Sequence, residues 1–340
     1  MVAIFAALLW YVGVGDLYKA LLNIKVEYLA LAFLMYFGIN VFFTIRLRRV
    51  LEKAGVKTLF GRTLLAQYAG MLTSDVTPGR SGYILTPVYL QDQNVPTPKS
   101  LSAILGIQTV EFLIKVAGGI GAVVFLVHFV TPSSWQQFQD ATGINGLVVA
   151  VLGIALMLVG ALILAAITWS EKALKLFHRI ATWRFLKRFT GGLVGKLDEF
   201  RECSKRNSRA IPEITALTFV CWLLKGFEWY FLGIALGITF GLNAPLTWLA
   251  FFLIHPLVTA LAFVPVTPAG AGVQEFGIVG ILGLLVTNPA LTGAVGAFAI
   301  VARGMLIIQD LIGVPQIVKS TSGIAFSQRK PPRTSPDNMP

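Results

Sequence analysis

Apolar residues run with few interruptions over about 26–45, 98–130, 145–169, 211–240 and 290–318. At 1.5 Å rise per residue each run is long enough to cross a hydrocarbon core of roughly 30 Å as a helix. A shorter run, "MVAIFAALLWYVGVG", precedes them. Its about 14 apolar residues cover only roughly 21 Å. It predicts a short first membrane helix whose depth and orientation stay open. Lacking a basic n-region and a small-residue cleavage site, it is expected to be retained.

Two further stretches, 60–92 and 244–287, do not fit as single spans. Both carry a helix-breaking phrase near the middle: "VTPGRSG" from Val76 and "VTPAGAG" from Val266, with the same Val-Thr-Pro-x-x-x-Gly spacing. Loop charge fixes their sense. Between Glu171 and Arg209 there are eleven Lys or Arg against four acids, whereas none lies between Lys225 and Arg303. Under the positive-inside rule 171–209 is cytoplasmic, as is "RLRRVLEK" after the second helix. The stretch from His128 to Gly146 holds no Lys or Arg and faces outside. On this topology 60–92 enters and returns from one side and 244–287 from the other.

The expectation is an all-α polytopic membrane protein of about six spanning helices plus two re-entrant helical hairpins. Span, hairpin, span recurs with opposite sense in repeat one, about 26–130, and repeat two, about 211–318. Inverted-topology repeats with broken helices near the midplane are a recurring plan of transporters. A single transmembrane domain would cover 1–318, with a cell-membrane location, and 319–340 would form a disordered cytoplasmic tail.

Composition agrees with that class. The chain is 56% hydrophobic and 13% charged, with mean hydropathy +0.74. That excludes an ordinary soluble domain. The net charge of +12 is concentrated in loops, which argues for orientation in the membrane and against nucleic acid. An interfacial helix is plausible in "EKALKLFHRIATWRFLKRF", although basic residues fall on most of its faces. Cys203 and Cys221 match neither a disulfide framework nor a metal site, and His128 and His255 have no acid or Cys at ligand spacing. No cofactor is expected.

Thr followed by Pro reads as a helix start, Thr as N-cap and Pro at the first helical position. Thr77-Pro78 and Thr267-Pro268 would thus each open a half-helix inside the membrane. Gly79, Gly82, Gly270 and Gly272 permit close approach, and the free amides form an anion site suited to phosphate. Arg80, near the third helical position, adds a forked donor. Thr97-Pro98 and Asn288-Pro289 read as helix starts too, at ordinary membrane edges, so depth distinguishes the two hairpins. Ionisable residues inside apolar runs are costly unless paired or hydrated. Glu111 and Lys115 stand at i,i+4 and Lys225 and Glu228 at i,i+3, spacings at which each pair can satisfy itself. Asp75, Lys115, Lys225, Glu228 and Asp310 are therefore candidates for coupling or structural ion pairs. Glu111 lies 33 residues after Pro78 and Arg303 lies 35 after Pro268. Glu111, Arg80, Glu275 and Arg303 are expected to form a central polar cluster.

With "FFTIRLRRVLEKAGV", "DVTPGRSGYILTPVYLQDQNVPTPKSLSAILGIQTVEFLIK", and "VPVTPAGAGVQEFGIVGIL" followed by "VARGMLIIQDLIG", the chain resembles the flippase-like transmembrane domain of lysylphosphatidylglycerol synthases over nearly its whole length. Pro-x-Gly-x-Gly-x-x-Glu followed by an Arg-bearing helix is the most specific of these signatures. Tyr83 stands where the family usually has an acid, and Phe112 and Lys115 replace its usual Arg and Asp. Glu275 and Arg303 match. The resemblance implies a lipid transporter and no enzyme: a protein moving an anionic lipid, such as a phospholipid or a polyprenyl-phosphate-linked glycan carrier. No soluble acyltransferase-like domain follows residue 318, so lipid aminoacylation is not expected. Alternatives are a membrane glycosyltransferase or lipid-modifying enzyme on polyprenyl phosphate, an ion-coupled importer of a small anion, and a non-transporting scaffold. A glycosyltransferase generally needs an acidic metal-binding pair in a loop, and no Asp-x-Asp or Glu-x-Asp phrase stands in an external one. The small-residue pattern of Gly293, Ala297, Gly296 and Ile300 suits packing within the chain, or against a second copy in a homo-oligomer.

Overall fold

The computed structural model describes residues 13–143, 145–170, 172, 197–263, 267–268, 270–286 and 288–320. The described residues form helices, with no strand: α1 (Val14–Leu22), α2 (Val26–Lys53), α3 (Phe60–Val76), α4 (Thr86–Tyr89), α5 (Thr97–Phe129), α6 (Pro132–Thr142), α7 (Gly146–Trp169), α8 (Leu197–Asn207), α9 (Ile211–Ala235), α10 (Ala244–Ala262), α11 (Val273–Leu285) and α12 (Thr292–Asp310). A 3-10 turn at Leu311–Gly313 carries α12 on as helix to residue 320. Most of the opening run and of the basic stretch 171–209, with its interfacial helix, lies outside the described residues, as does the tail from 321 on.

Six helices are long and apolar enough to cross a membrane: Val26–Lys53, Thr97–Phe129, Gly146–Trp169, Glu199–Ala235, Ala244–Ala262 and Thr292–Ser320. Five of them are the expected spans. The sixth is α10, which the sequence pattern places in one arm of a re-entrant hairpin. Its 19 residues cover about 28 Å at 1.5 Å each, enough for a span. The first hairpin also departs from expectation. After Thr77-Pro78 no second long helix follows; the chain returns through a 3-10 turn at Ser81–Leu85, the single turn α4, and a 3-10 turn at Gln91–Gln93.

The packing follows from small residues and from one proline. Gly313 lies against the backbone of Tyr68 and Ala69, letting the end of α12 cross α3 at close range, and Gly293 lies against the backbone of Asp16 in α1. This end of the small-residue stripe on α12 is therefore used inside the chain. Pro256 stands within α10 and cannot donate to the Phe252 carbonyl, as a residue four positions on normally does. The indole N–H of Trp222 on α9 donates to that carbonyl instead, at 2.8 Å, and its ring stacks on Phe252 with centroids 4.1 Å apart. A backbone group freed in an apolar interior is thus satisfied by a neighbouring helix.

Gly270 has φ +67, and a Cβ there would lie 2.6 Å from the Ala262 Cα. Gly270→Ala is expected to destabilise by more than the about 1–2 kcal/mol of left-handed backbone alone. Gly283→Ala, in open space on α11, is expected to be neutral or stabilising by up to about 1 kcal/mol. Thermal unfolding of the two purified variants checks the difference.

Candidate functional site

The two Thr-Pro phrases meet. Pro78 and Pro268 form an antiparallel backbone bridge, joining positions 190 residues apart in the chain. Neither proline has an N–H to give to it. The expected N-caps are not there, however. Thr77 ends α3 in extended conformation, and its hydroxyl donates to the Thr73 carbonyl at 2.9 Å while accepting from the Gly82 N–H at 2.7 Å. Gly79 and Arg80 follow with φ 60 and 55, so Arg80 is left-handed and not the third residue of a helix. Ser74 Oγ donates to the Arg80 carbonyl at 3.1 Å, and Ser81 Oγ to that of Pro78 at 2.9 Å. Side-chain hydroxyls thus satisfy the broken backbone that a helix start was expected to leave open.

At the second phrase the helix starts five residues after Pro268, at Val273, with Gly272 before it at φ 87. Its end is already occupied by a negative group from the same chain. Glu275 Oε2 accepts from the Gly272 N–H at 2.6 Å, and Oε1 accepts from Arg303 Nε of α12. A carboxylate at the positive end of a helix is favourable. It stands where phosphate was expected to bind, and Arg303 Nη2 donates further to Gln274 Oε1 at 3.0 Å.

Behind the two breaks lies a cavity of about 130 Å3. Cationic side chains from four helices and the first break line it: Arg46 of α2, Arg80, Lys115 of α5, Lys225 of α9 and Arg303 of α12. All are held by carboxylates. Glu111 pairs with Arg46 at 3.0 Å and Lys115 at 2.8 Å, Asp75 with Arg80 at 2.9 Å, Glu228 with Lys225 at 2.7 Å, and Glu275 with Arg303. A fifth acid, Asp310, is fully buried and accepts from the Tyr36 hydroxyl at 3.0 and 3.1 Å. The structure brings Arg80, Glu111, Glu275 and Arg303 to one cavity, yet Glu111 holds Arg46 there and neither Arg80 nor Arg303.

Arg46 is the residue that sequence reasoning missed. Inside "RLRRVLEK" it reads as one of a cytoplasmic cluster, but its side chain is 1% exposed, donates to Thr218 Oγ1 at 2.7 Å, and stacks over Phe43. The available signal was spacing: Tyr36, Ile39, Phe43 and Arg46 recur every three or four residues on one face of α2, and all line the cavity. Gln67, Tyr83 and His255 also line it unforeseen. Thr77, Pro78, Gly79, Gly82, Thr267, Pro268, Gly270 and Gly272 build the breaks rather than the cavity wall. No cluster of metal-binding side chains occurs among the described residues.

Residues 1–308 match the family described as the lysylphosphatidylglycerol synthase TM region. The chain belongs to this family. It is also similar to a UPF0104 membrane protein of Pyrococcus horikoshii, 23% identical over 330 residues that span 92% of this chain and 90% of that one. Membership in the synthase TM-region family and the six apolar helices make this a multi-pass membrane protein.

Removing one member of a buried ion pair strands the other, at about 3–5 kcal/mol. Glu111→Gln, which leaves Arg46 and Lys115 facing each other, is expected to lose stability on that scale. Lys115→Met should lose clearly less, since Arg46 still holds Glu111. Thermal unfolding in detergent reads the order, and equal losses would show that Lys115, not Arg46, is the effective partner.

Proposed function

We propose that this protein is a flippase-like lipid transporter of the cell membrane, with its C-terminus cytoplasmic and no enzymatic step of its own. It moves an anionic lipid, such as a phospholipid or a polyprenyl-phosphate-linked glycan carrier. The cavity carries this reading. Five cations meet there and are held by four carboxylates, Arg46 and Lys115 sharing Glu111. Drawn to an incoming phosphate, either of those two leaves Glu111 paired with the other. Guanidinium groups suit it in particular, since their forked donors match phosphate oxygens.

Size limits what enters. About 130 Å3 admits a phosphate group or a few waters but no acyl chain. The chains of a bound lipid would remain in the bilayer, where an apolar groove of about 520 Å3 runs along α2 and α12 past Phe33, Phe37 and Ile312. Phe37 in the groove and Tyr36 in the cavity are successive residues of α2, so both compartments border that one helix. Two inverted repeats rocking about the paired breaks would expose the cavity to each leaflet in turn.

Purified protein in vesicles carrying a fluorescent anionic phospholipid tests this. Each charge-assisted hydrogen bond to the headgroup contributes about 1.5–3 kcal/mol, so Arg303→Ala should slow translocation by about tenfold or more. Glu275→Gln should also change the rate. Equal rates in wild type and both variants would remove Arg303 and Glu275 from transport.

A further inference from the structure

Asp310 has no cationic partner of its own among the described residues. Its carboxyl group accepts from Tyr36 of α2 and interacts with the carboxyl group of Asp75 at the end of α3. Asp75 Oδ1 accepts from Arg80, but Oδ2 is buried with no donor among the described residues, and the Asp75 side chain is only 3% exposed. Two ionised carboxylates cannot share a buried contact, because each presents lone pairs alone. A proton between them supplies the missing donor and satisfies Asp75 Oδ2. Tyr36, Arg80, Lys225 of α9 and Tyr68 of α3 are the other titratable groups that interact with Asp310. None replaces the proton. The Tyr36 hydroxyl is already bonded to Asp310, Arg80 to Asp75 and Lys225 to Glu228, and the Tyr68 hydroxyl reaches no acceptor among the described residues.

We infer that Asp75 and Asp310 form a proton-binding site between α3 and α12, and that its occupancy is linked to anion binding at Arg80. The linkage follows from the shared partner and rests on the transport reading above. An anion that draws the Arg80 guanidinium away leaves Asp75 short of positive charge, which favours proton uptake from water by the pair. By reciprocity a proton on the pair loosens Asp75 from Arg80 and favours the anion. Anion affinity therefore falls as pH rises through the titration of the pair, and where the pair has lost its proton each anion taken up at Arg80 brings one with it.

The proton can be seen without any lipid. Infrared spectra of the purified protein at neutral pH should contain a protonated-carboxyl carbonyl stretch that disappears in Asp310→Asn. In Asp75→Asn an amide replaces the facing carboxyl group, so the band should stay and move in frequency. Tyr36→Phe should retain the band, with its frequency moved by the lost hydrogen bond. Spectra of wild type and Asp310→Asn that superimpose would overturn the site. Monodisperse elution of each variant, with unchanged helical circular dichroism, guards against misfolding. Where the band behaves as expected, anion-dependent proton uptake by wild type in weak buffer, at a pH high enough to have removed the band and titrated with inorganic phosphate, tests the linkage. Uptake should be lost in Asp310→Asn, and no uptake in wild type would overturn the linkage. A protein with the band but no lipid translocation would keep the proton site and lose the transport reading.

Discussion

Backbone that leaves helical conformation inside an apolar region must find partners for its N–H and C=O groups, and the pairing of Pro78 with Pro268 is where this chain does so for both of its breaks at once. An X-Pro step already lacks one donor, which lowers the number of groups to satisfy. Local side chains supply further partners. Thr77, Ser74 and Ser81 tie the first break, and Glu275 ties the second. With both ends fixed against each other, Arg80 and the Glu275–Arg303 pair are presented to the same space. The left-handed backbone at Arg80 belongs to that arrangement, because strain of about 1–3 kcal/mol persists only where the surroundings over-determine it.

Much of this was legible in the sequence for one physical reason: apolar solvent leaves few solutions. Five of the six long apolar helices could be drawn from runs of hydrophobic residues, and both breaks from repeated Thr-Pro steps. What failed was finer. A Thr-Pro dipeptide fixes where a helix cannot continue, but not whether the next one begins at once. Thr77 ended α3 because its hydroxyl could reach back to Thr73, and Gly272 preceded α11 because the carboxylate of Glu275 could close the first turn. Both choices depend on contacts four residues back or three ahead, which leave no mark on hydropathy. Arg46 was hidden by its neighbours. Arg48 and Arg49 on the next turn are part-exposed and bond Glu52, so a count of charges treats three arginines alike although one points inward.

Charges in the cavity obey a further restriction. Every ion pair lining it joins residues of the same half of the chain: Arg46–Glu111–Lys115 and Arg80–Asp75 before residue 143, Lys225–Glu228 and Arg303–Glu275 after residue 197. Contacts between the halves at this level are of another kind. They include the Pro78–Pro268 bridge, the Arg46 donation to Thr218 Oγ1, the Tyr36 hydroxyl on Asp310, and the Lys225 and Lys115 ammonium groups over the rings of Tyr36 and Phe263. Parting a buried ion pair strands a charge at about 3–5 kcal/mol, whereas a hydroxyl or backbone contact is worth about 0.5–1.5 kcal/mol net and water replaces it.

Parting the two sides of the cavity would therefore strand none of these cations. Such a displacement loses modest polar contacts at the cavity and keeps each cation with its own carboxylate, while the apolar core shared by the two halves opposes it. The exception proves informative. Asp75 and Asp310 are carboxyl groups from opposite halves, and their contact is attractive with a proton between them and repulsive without one. Of the contacts between the halves at the cavity, this is the one whose sign solution conditions reverse. On the proton site inferred above, a change in proton occupancy would favour or oppose this contact between the halves, while the paired cations on both sides keep their carboxylates.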